Sequence, residues 1–324
     1  MPIQALRDLV RDEMNAVDAV ILEQMRSDVP LIPLLGQYIV QGGGKRLRPL
    51  LLVAMARMLG YRGERDLALA AVVEFIHTAT LLHDDVVDES NLRRGRDTAN
   101  AVWGNQASVL VGDFLFSRAF EMMVGDGDIR VLQILSTASR TLAEGEVLQL
   151  AKTGDLETTE EDYNEVIRCK TAALFDGAAR VGAVVAGVDS AIEEAAAAFG
   201  SHIGYAFQLV DDALDCVASA AEMGKSPGDD IRDGKMTLPV IHALQYMDAV
   251  AVDRLGEIMT KETPSDEDVH WALSAVESCG GVAYTLARAG GYVDLALEAL
   301  VQLPPSPIRD QLEEVARFTL TRRS

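Results

Sequence analysis

The chain has little of several residue types, and each shortage excludes a class of protein. Its three cysteines, Cys169, Cys216 and Cys279, are an odd number without metal-ligand spacing, so neither a disulfide framework nor a structural zinc site is expected. Cations are scarce as well, with 29 Lys and Arg against 50 Asp and Glu, which gives a net charge of −21. Such a chain is repelled by nucleic-acid backbones and anionic lipid surfaces, and we expect no nucleic-acid partner.

Long apolar runs are also missing. The longest, such as Leu50–Ala56 and Ala183–Val188, are far too short to cross a bilayer, so no transmembrane segment is predicted. The first residues carry acids early and lack an unbroken apolar core, which argues against a signal peptide. We therefore expect a cytoplasmic protein. Aromatic residues make up only 5% of the chain, and Ala, Leu and Met, which favour helices, carry much of the apolar content.

Helical periodicity dominates the rest of the chain, and no segment alternates as a strand does. The pattern predicts an all-α protein of about ten helices or more, forming a single domain over residues 1–324. Ala178–Val188 is apolar nearly all round apart from Arg180, which predicts a buried central layer. Ser265, followed by three acids, predicts a helix start. The predicted helical segments are 3–26, 49–60, 66–90, 106–124, 129–150, 160–187, 190–221, 236–247, 267–278, 281–289, 291–303 and 306–322.

Two aspartate clusters with the same spacing carry the strongest chemical signal. The first includes Asp84, Asp85 and Asp88, and the second consists of Asp211, Asp212 and Asp215. Residues four apart share one face of a helix, so each cluster places like charges side by side. Either cluster alone is compatible with a solvated helix face. Two of them, both flanked by apolar turns, predict several Mg²⁺ ions with a polyphosphate between them, because Mg²⁺ prefers a few carboxylates together with substrate phosphates.

Basic residues complement these clusters. The turn Gly42–Pro49 joins three glycines to three cations, and glycine allows a phosphate to approach the backbone closely. The loop Gly224–Gly234 is predicted to act as a lid. Lys225 and Lys235 stand on either side of its acids, Asp229 and Asp230. Each cation alone is compatible with a surface residue, but together they supply charge for more than one diphosphate. His77 lies two helical turns before Asp84, and both a ligand role and a core position stay open for it.

These motifs, in this order over roughly residues 30–322, resemble the trans-prenyl diphosphate synthases, and among them the long-chain bacterial group that makes quinone side chains. The resemblance implies a bundle of antiparallel helices around a deep central cavity, and a homodimer. It also implies that isopentenyl diphosphate is condensed repeatedly, head to tail, onto an allylic diphosphate of the farnesyl or geranyl type. The implied product is octaprenyl to decaprenyl diphosphate.

The resemblance also implies a role for particular residues. Isopentenyl diphosphate would be held by Lys45, Arg48, His77 and Arg94. The allylic diphosphate would be held by Arg93, Lys170, Thr171, Gln208, Lys225 and Lys235. Two or three Mg²⁺ ions would be bound by Asp84, Asp88, Asp211 and Asp215, with Asp85 and Asp212 in support. The predicted catalytic residues are Asp84, Asp85, Asp88, Asp211, Asp212 and Lys170.

Product length is expected to depend on residues just before the first cluster. Thr80 and Ala79 lie one turn upstream, where short-chain relatives carry a bulky aromatic, and Ile76 lies two turns upstream. The small side chains of Thr80 and Ala79 would let a long tail pass, although ordinary helix packing would also explain small residues there. Four alternatives stay open: a geranylgeranyl or farnesyl diphosphate synthase, a non-catalytic subunit of a heteromeric synthase, a class I terpene cyclase and an HD-type phosphohydrolase.

Overall fold

The computed structural model describes residues 1–41, 44–93, 95–217 and 227–322, and these residues form an all-α fold as predicted. A two-stranded antiparallel hairpin pairs β1 (Leu92–Arg93) with β2 (Arg96–Asp97). The helices are α1 (Pro2–Leu9), α2 (Arg11–Gln24), α3 (Leu31–Gln41), α4 (Leu47–Met58), α5 (Arg65–Val87), α6 (Ala99–Trp103), α7 (Asn105–Asp126), α8 (Ile129–Ala151), α9 (Glu160–Ile167), a π-helix (Arg168–Ala172), α10 (Ala173–Ala186), α11 (Ser190–Val217), α12 (Asp229–Arg232), α13 (Leu238–Leu244), α14 (Ala249–Met259), α15 (Asp266–Ser278), α16 (Gly281–Val301) and α17 (Pro307–Thr319).

Helix α10 is the centre of the bundle, and it packs against α4, α5, α8 and α11. Two glycines allow this close packing. A Cβ on Gly182 would lie 2.6 Å from the carbonyl oxygen of Leu52, and a Cβ on Gly200 would lie 2.4 Å from that of Phe175. The predicted buried layer is therefore confirmed, and α10 ends at Ala186, one residue before Gly187 with its φ of +72°.

Several predicted helix boundaries were wrong. The segment 3–26 is interrupted at Val10, where φ is −130°. Gly290-Gly291 was predicted to break a helix, but α16 runs straight through it, because its buried residues outweigh the cost of about 1 kcal/mol for each helical glycine. Helices α3 and α14 and the short hairpin were not predicted. The helix start at Ser265 is confirmed, and Ser265 forms a capping box with Asp268.

Helix α5 carries the first aspartate cluster at its carboxyl end. Within the described ranges, α5 alone is long and apolar enough to cross a membrane by length and composition, but 67% of its apolar stretch is buried in the protein. Its buried face packs against α7, α4 and α2. We therefore regard α5 as a core helix. The apolar interior has two parts, and Tyr292 and Leu320 pack against both; the single domain over 1–324 stays a prediction.

Candidate active site

A single open cavity of about 770 Å³ brings both aspartate clusters together with most of the predicted basic residues. The first cluster reaches it from α5 and the second from α11, so clusters more than a hundred residues apart face the same space. The predicted residues on its wall are Lys45, Arg48, His77, Thr80, Asp84, Asp85, Asp88, Arg93, Lys170, Thr171, Gln208, Asp211, Asp212 and Lys235.

Some predicted residues lie elsewhere. Asp215 is not on the cavity wall; it is buried, and its Oδ2 accepts a hydrogen bond of 3.1 Å from the backbone N–H of Asp230. Ala79 and Ile76 are fully buried in the apolar core, also off the wall, whereas Thr80 reaches the cavity. The predicted ligands Arg94 and Lys225 lie outside the described residues, as do the glycines at 42, 43 and 224.

Within the first cluster, Asp84 and Asp88 are partly exposed to the cavity while Asp85 is buried. Arg93 holds Asp85, with its Nε and Nη2 at 2.8 and 2.7 Å from Oδ1. Burial raises the pKa of Asp84 to about 7; the positive charge of Lys170 opposes this shift, and nearby acids add to it. The site therefore disfavours an ionised Asp84 unless a further cation is present.

The second cluster likewise has one aspartate that faces the cavity and one that is buried against protein partners. Asp211 faces the cavity, and its Oδ1 lies 2.7 Å from the guanidinium of Arg322. Burial raises the pKa of Asp211, and the charge of Arg322 opposes the shift. Asp212 is buried, and both its oxygens accept hydrogen bonds, one from Gln208 at 2.7 Å and one from Tyr163 at 2.5 Å. Burial and the charge of its neighbour Asp212 raise the pKa of Tyr163 far above its usual value, so Tyr163 keeps its proton and acts as the donor.

Two lysines connect distant elements across the cavity. Lys170 lies in the π-helix, a geometry often found at functional sites, and it donates to Glu146 at 2.6 Å and to Gln149 at 2.8 Å. Lys235 donates to Asp88 at 2.9 Å, which joins the segment after α12 to α5. Burial alone lowers the pKa of Lys235, but the charge of Asp88 and of two further aspartates outweighs it and raises the pKa. Lys235 is therefore charged at neutral pH.

Three of the four residues predicted for isopentenyl diphosphate, Lys45, Arg48 and His77, lie on the cavity wall. One Arg48 guanidinium nitrogen lies 3.0 Å from Nε2 of His77, and the guanidinium stacks 4.5 Å from the centre of the Phe175 ring. Lys45, on the loop just before α4, is exposed at the cavity. Arg46, between them, is buried and pairs with Glu74 at 2.9 Å, which anchors the loop to α5.

The cavity residues fit a magnesium site. Among the residues that the structure describes, no three acidic, histidine or cysteine side chains form a ready-made metal cage. Mg²⁺ does not need one, because it usually takes one or two carboxylates, several waters and substrate phosphates. The donors available are carboxylate oxygens, and the raised pKa values of Asp84, Asp211 and Asp212 indicate negative charge that lacks compensation.

Reasoning from the sequence did not find three residues of the cavity wall, Glu146, Gln149 and Tyr163, nor Arg322, which pairs with Asp211. Glu146 and Gln149 are three apart on α8, a spacing that many solvated helix faces share. Tyr163 and Arg322 have no motif around them. They reach the clusters only because α9 and the carboxyl-terminal segment fold back onto α11.

Comparison with known proteins identifies the class of protein. Residues 29–276 match the family described as polyprenyl synthetase. The chain is 45% identical to octaprenyl diphosphate synthase of Escherichia coli (strain K12), over 99% of each chain. A crystal structure of a decaprenyl diphosphate synthase from Rhodobacter capsulatus has a TM-score of 0.94, with 45% identity over 99% of both chains.

A second solved structure adds a bound ligand. A polyprenyl synthase from Caulobacter crescentus CB15, complexed with calcium and isoprenyl diphosphate, has a TM-score of 0.96 and 45% identity, over 99% of this chain and 98% of that one. The fold and these similarities define a prenyltransferase. The chain belongs to the polyprenyl synthetase family, which confirms the resemblance inferred from its motifs.

Proposed function

We propose that this chain is a long-chain all-trans-polyprenyl diphosphate synthase that adds isopentenyl diphosphate to an allylic diphosphate of the farnesyl or geranyl type. The observation that carries the proposal is the cavity in which two aspartate clusters face two sets of cations. The product proposed is octaprenyl to decaprenyl diphosphate, for a quinone side chain. Full-length similarity to an octaprenyl and a decaprenyl diphosphate synthase supports this range.

Two sets of cavity residues would bind the two diphosphates. Lys45, Arg48 and His77 would bind isopentenyl diphosphate, together with Arg94. Arg93, Lys170, Thr171, Gln208 and Lys235 would bind the allylic diphosphate, together with Lys225. Asp84, Asp88 and Asp211 line the cavity and would hold two or three Mg²⁺ ions. A ligand role for Asp215 stays a prediction, since its side chain lies off the cavity wall.

The reaction needs a diphosphate leaving group and an allylic carbocation that is protected from water. When bound, Mg²⁺ would neutralise charge on the leaving diphosphate. Lys170 and Lys235 would add fixed positive charge where the allylic C–O bond breaks. The isopentenyl double bond then supplies the electrons of the new C–C bond, which leaves a carbocation on the isopentenyl unit. A proton leaves from the carbon next to this carbocation, and the released diphosphate accepts it. Apolar side chains such as Phe175, Phe207 and Leu142 line the cavity and would keep water away from the allylic carbocation.

Two properties of the whole protein belong to the proposal. A homodimer is supported by exposed apolar side chains on α7 and α8, including Leu110 at 66%, Val147 at 68% and Leu150 at 64% exposure. In a two-fold dimer this face would lie against the same face of a second copy, which would cover it. A cytoplasmic location remains an expectation from the sequence. A shorter-chain synthase and a non-catalytic subunit remain the alternative functions.

The decisive experiment uses the purified chain alone with isopentenyl diphosphate, farnesyl diphosphate and Mg²⁺. We expect elongation, loss of activity with EDTA, and products of about eight to ten isoprene units on chromatography. Asp84→Ala and Asp211→Ala should abolish turnover with the helical fold intact. Asp294→Ala, an exposed aspartate on α16, should leave turnover unchanged. Absence of elongation by the isolated wild-type chain would refute the proposal, and a product of three or four units would favour the shorter-chain alternative.

A further inference from the structure

Tyr163 joins the second aspartate cluster to a chain of hydrogen bonds that the predicted substrate ligands share. Its hydroxyl donates to Oδ2 of Asp212 at 2.5 Å, while the side-chain amide of Gln208 donates to Oδ1 at 2.7 Å. The amide oxygen of Gln208 accepts a hydrogen bond of 2.8 Å from the hydroxyl of Thr171. One continuous network therefore runs from α9 through α11 to the π-helix, and all four side chains line the cavity.

This network determines what each side chain can offer to a ligand. Asp212 is 4% exposed and uses both its oxygens internally, so its neighbour Asp211 presents the outward carboxylate of the pair. The orientation of the Gln208 amide follows from its two partners, because its nitrogen must face Asp212 and its oxygen must face Thr171. Without the phenol hydroxyl, one oxygen of a buried carboxylate loses a donor, which is costly, and the carboxylate is driven to a new rotamer.

The ring and the hydroxyl of Tyr163 have separate functions. The ring belongs to the apolar core around Ile167, Leu209 and Leu238, so a phenylalanine at this position keeps that packing. The hydroxyl reaches Asp212, on another helix. Tyr163→Phe therefore tests the hydrogen bond alone.

We propose that Tyr163 is a positioning residue for the allylic diphosphate: through Asp212 and Gln208 it holds the ligand groups of the second aspartate cluster and of the π-helix in register. The inference rests on the function proposed above, and it adds a residue on which no sequence motif bears. Tyr163 acts through other side chains and is not assigned contact with the reacting atoms.

The test compares two tyrosines that both hydrogen bond to carboxylates and both involve α9. Tyr163→Phe removes the bond to Asp212 in the cavity. Tyr284→Phe is the matched control, because its hydroxyl donates at 2.8 Å to Glu160, the first residue of α9, away from the cavity. KM and kcat are measured for farnesyl diphosphate and for isopentenyl diphosphate, and binding of inorganic diphosphate with Mg²⁺ is measured by titration calorimetry.

For Tyr163→Phe we expect kcat/KM for farnesyl diphosphate to fall about tenfold, which corresponds to the loss of one charge-assisted hydrogen bond. KM for isopentenyl diphosphate should stay within about twofold of wild type, because its predicted ligands lie outside the network. Affinity for Mg²⁺ with inorganic diphosphate should fall about tenfold as well. Tyr284→Phe should match wild type in all three measurements.

A double-mutant cycle on the same binding measurement tests whether the effect passes through Asp212. In an Asp212→Asn background, Tyr163→Phe should weaken Mg²⁺ and diphosphate binding no further, whereas additive losses would contradict the proposed route. Equal changes in the KM values of both substrates, no change in either, or the same loss in Tyr284→Phe would overturn the inference. If the wild-type chain does not elongate, the proposed function fails separately, and the diphosphate titration still decides the role of Tyr163.

Discussion

At the scale of single residues, the two aspartate clusters do not use their members equally. The second aspartate of each motif, Asp85 or Asp212, is buried and committed to protein partners, while Asp84, Asp88 and Asp211 remain available to the cavity. Identical carboxylates thus have different chemistry because their surroundings differ. Burial raises the pKa of Asp84 and of Asp211, so the site disfavours their ionised forms until cations bind.

Asp84→Asn should therefore abolish activity and yet stabilise the metal-free protein at high pH. Burial raises the pKa of Asp84 in the folded state to about 7, above its value in the unfolded chain, so ionised Asp84 opposes folding above about pH 4. At pH 8 the variant should gain roughly 4 kcal/mol in unfolding free energy with EDTA present, since each pKa unit between the two states corresponds to about 1.4 kcal/mol. The gain should vanish below about pH 3, where Asp84 is protonated in both states. Equal stability of variant and wild type at pH 8, measured by urea denaturation, would contradict this account.

Thr80 and Ala79 should differ in how they tolerate an aromatic side chain. Thr80 is buried but lines the cavity, into which a larger side chain can extend, so Thr80→Tyr should shorten the product at a smaller cost in stability than Ala79→Tyr. Ala79 is fully buried, so Ala79→Tyr should also shorten the product but lower the unfolding free energy by about 1–3 kcal/mol through overpacking. Chromatography of the products and thermal melts separate the two effects. Unchanged product length in both variants would show that these positions do not limit the growing tail.

At the scale of elements, the π-helix places Lys170 and Thr171 at the cavity, and two glycines hold it closely on either side. A Cβ on Gly145 of α8 would lie 2.7 Å from Cβ of Cys169, and a Cβ on Gly204 of α11 would lie 2.7 Å from Cα of Ala172. Real Cβ atoms do not approach so closely, so α8 and α11 depend on these glycines to contact the π-helix.

Gly145→Ala and Gly204→Ala should therefore displace the π-helix and raise KM for the allylic substrate, with kcat falling on the order of a hundredfold for a shift near 1 Å. Gly177→Ala is the matched control, because its Cβ would lie 3.5 Å from that of Ala138, an ordinary contact. The control should keep wild-type kinetics and melt at the same or a higher temperature, since alanine favours a helix. Wild-type kinetics in all three variants would show that the glycines do not position Lys170.

At the scale of the whole molecule, the net charge of −21 and the apolar faces of α7 and α8 have separate consequences. We expect the acidic surface to repel nucleic acid, while the basic side chains of the cavity, together with bound Mg²⁺, would attract diphosphates. The exposed apolar side chains of α7 and α8 lie on consecutive helices, and in the proposed homodimer they would form the contact surface for a second copy.

Leu110→Glu combined with Val147→Glu should convert the proposed homodimer into a monomer, because each subunit would bury new charges in the interface. Val250→Glu is the control, since Val250 is 78% exposed but lies on α14. Light scattering after size exclusion should give the dimer mass for wild type and control, and about half that mass for the double variant. A monomeric wild type would refute the dimer.

Much of this protein follows from residue identity and spacing. Helical periodicity predicts the all-α fold, because amphipathic repeats are local, and D-D-x-x-D spacing places Asp84 beside Asp88 wherever the helix lies. Local sequence also predicts the buried central layer, the capped helix start at Ser265 and, through the motifs, the family. Helix breaks were predicted less well, since buried side chains in α16 outweigh the local preference of Gly290 and Gly291.

Tertiary packing alone decided which groups meet. Asp84 and Asp211 share a cavity because α5 and α11 pack in one bundle, and no local pattern encodes that pairing. Burial of Asp85 and Asp212, and the partners Tyr163 and Arg322, likewise depend on elements distant in the chain. The physical reason is that a pattern reports short-range geometry, whereas desolvation and hydrogen bonding depend on every atom that surrounds a side chain.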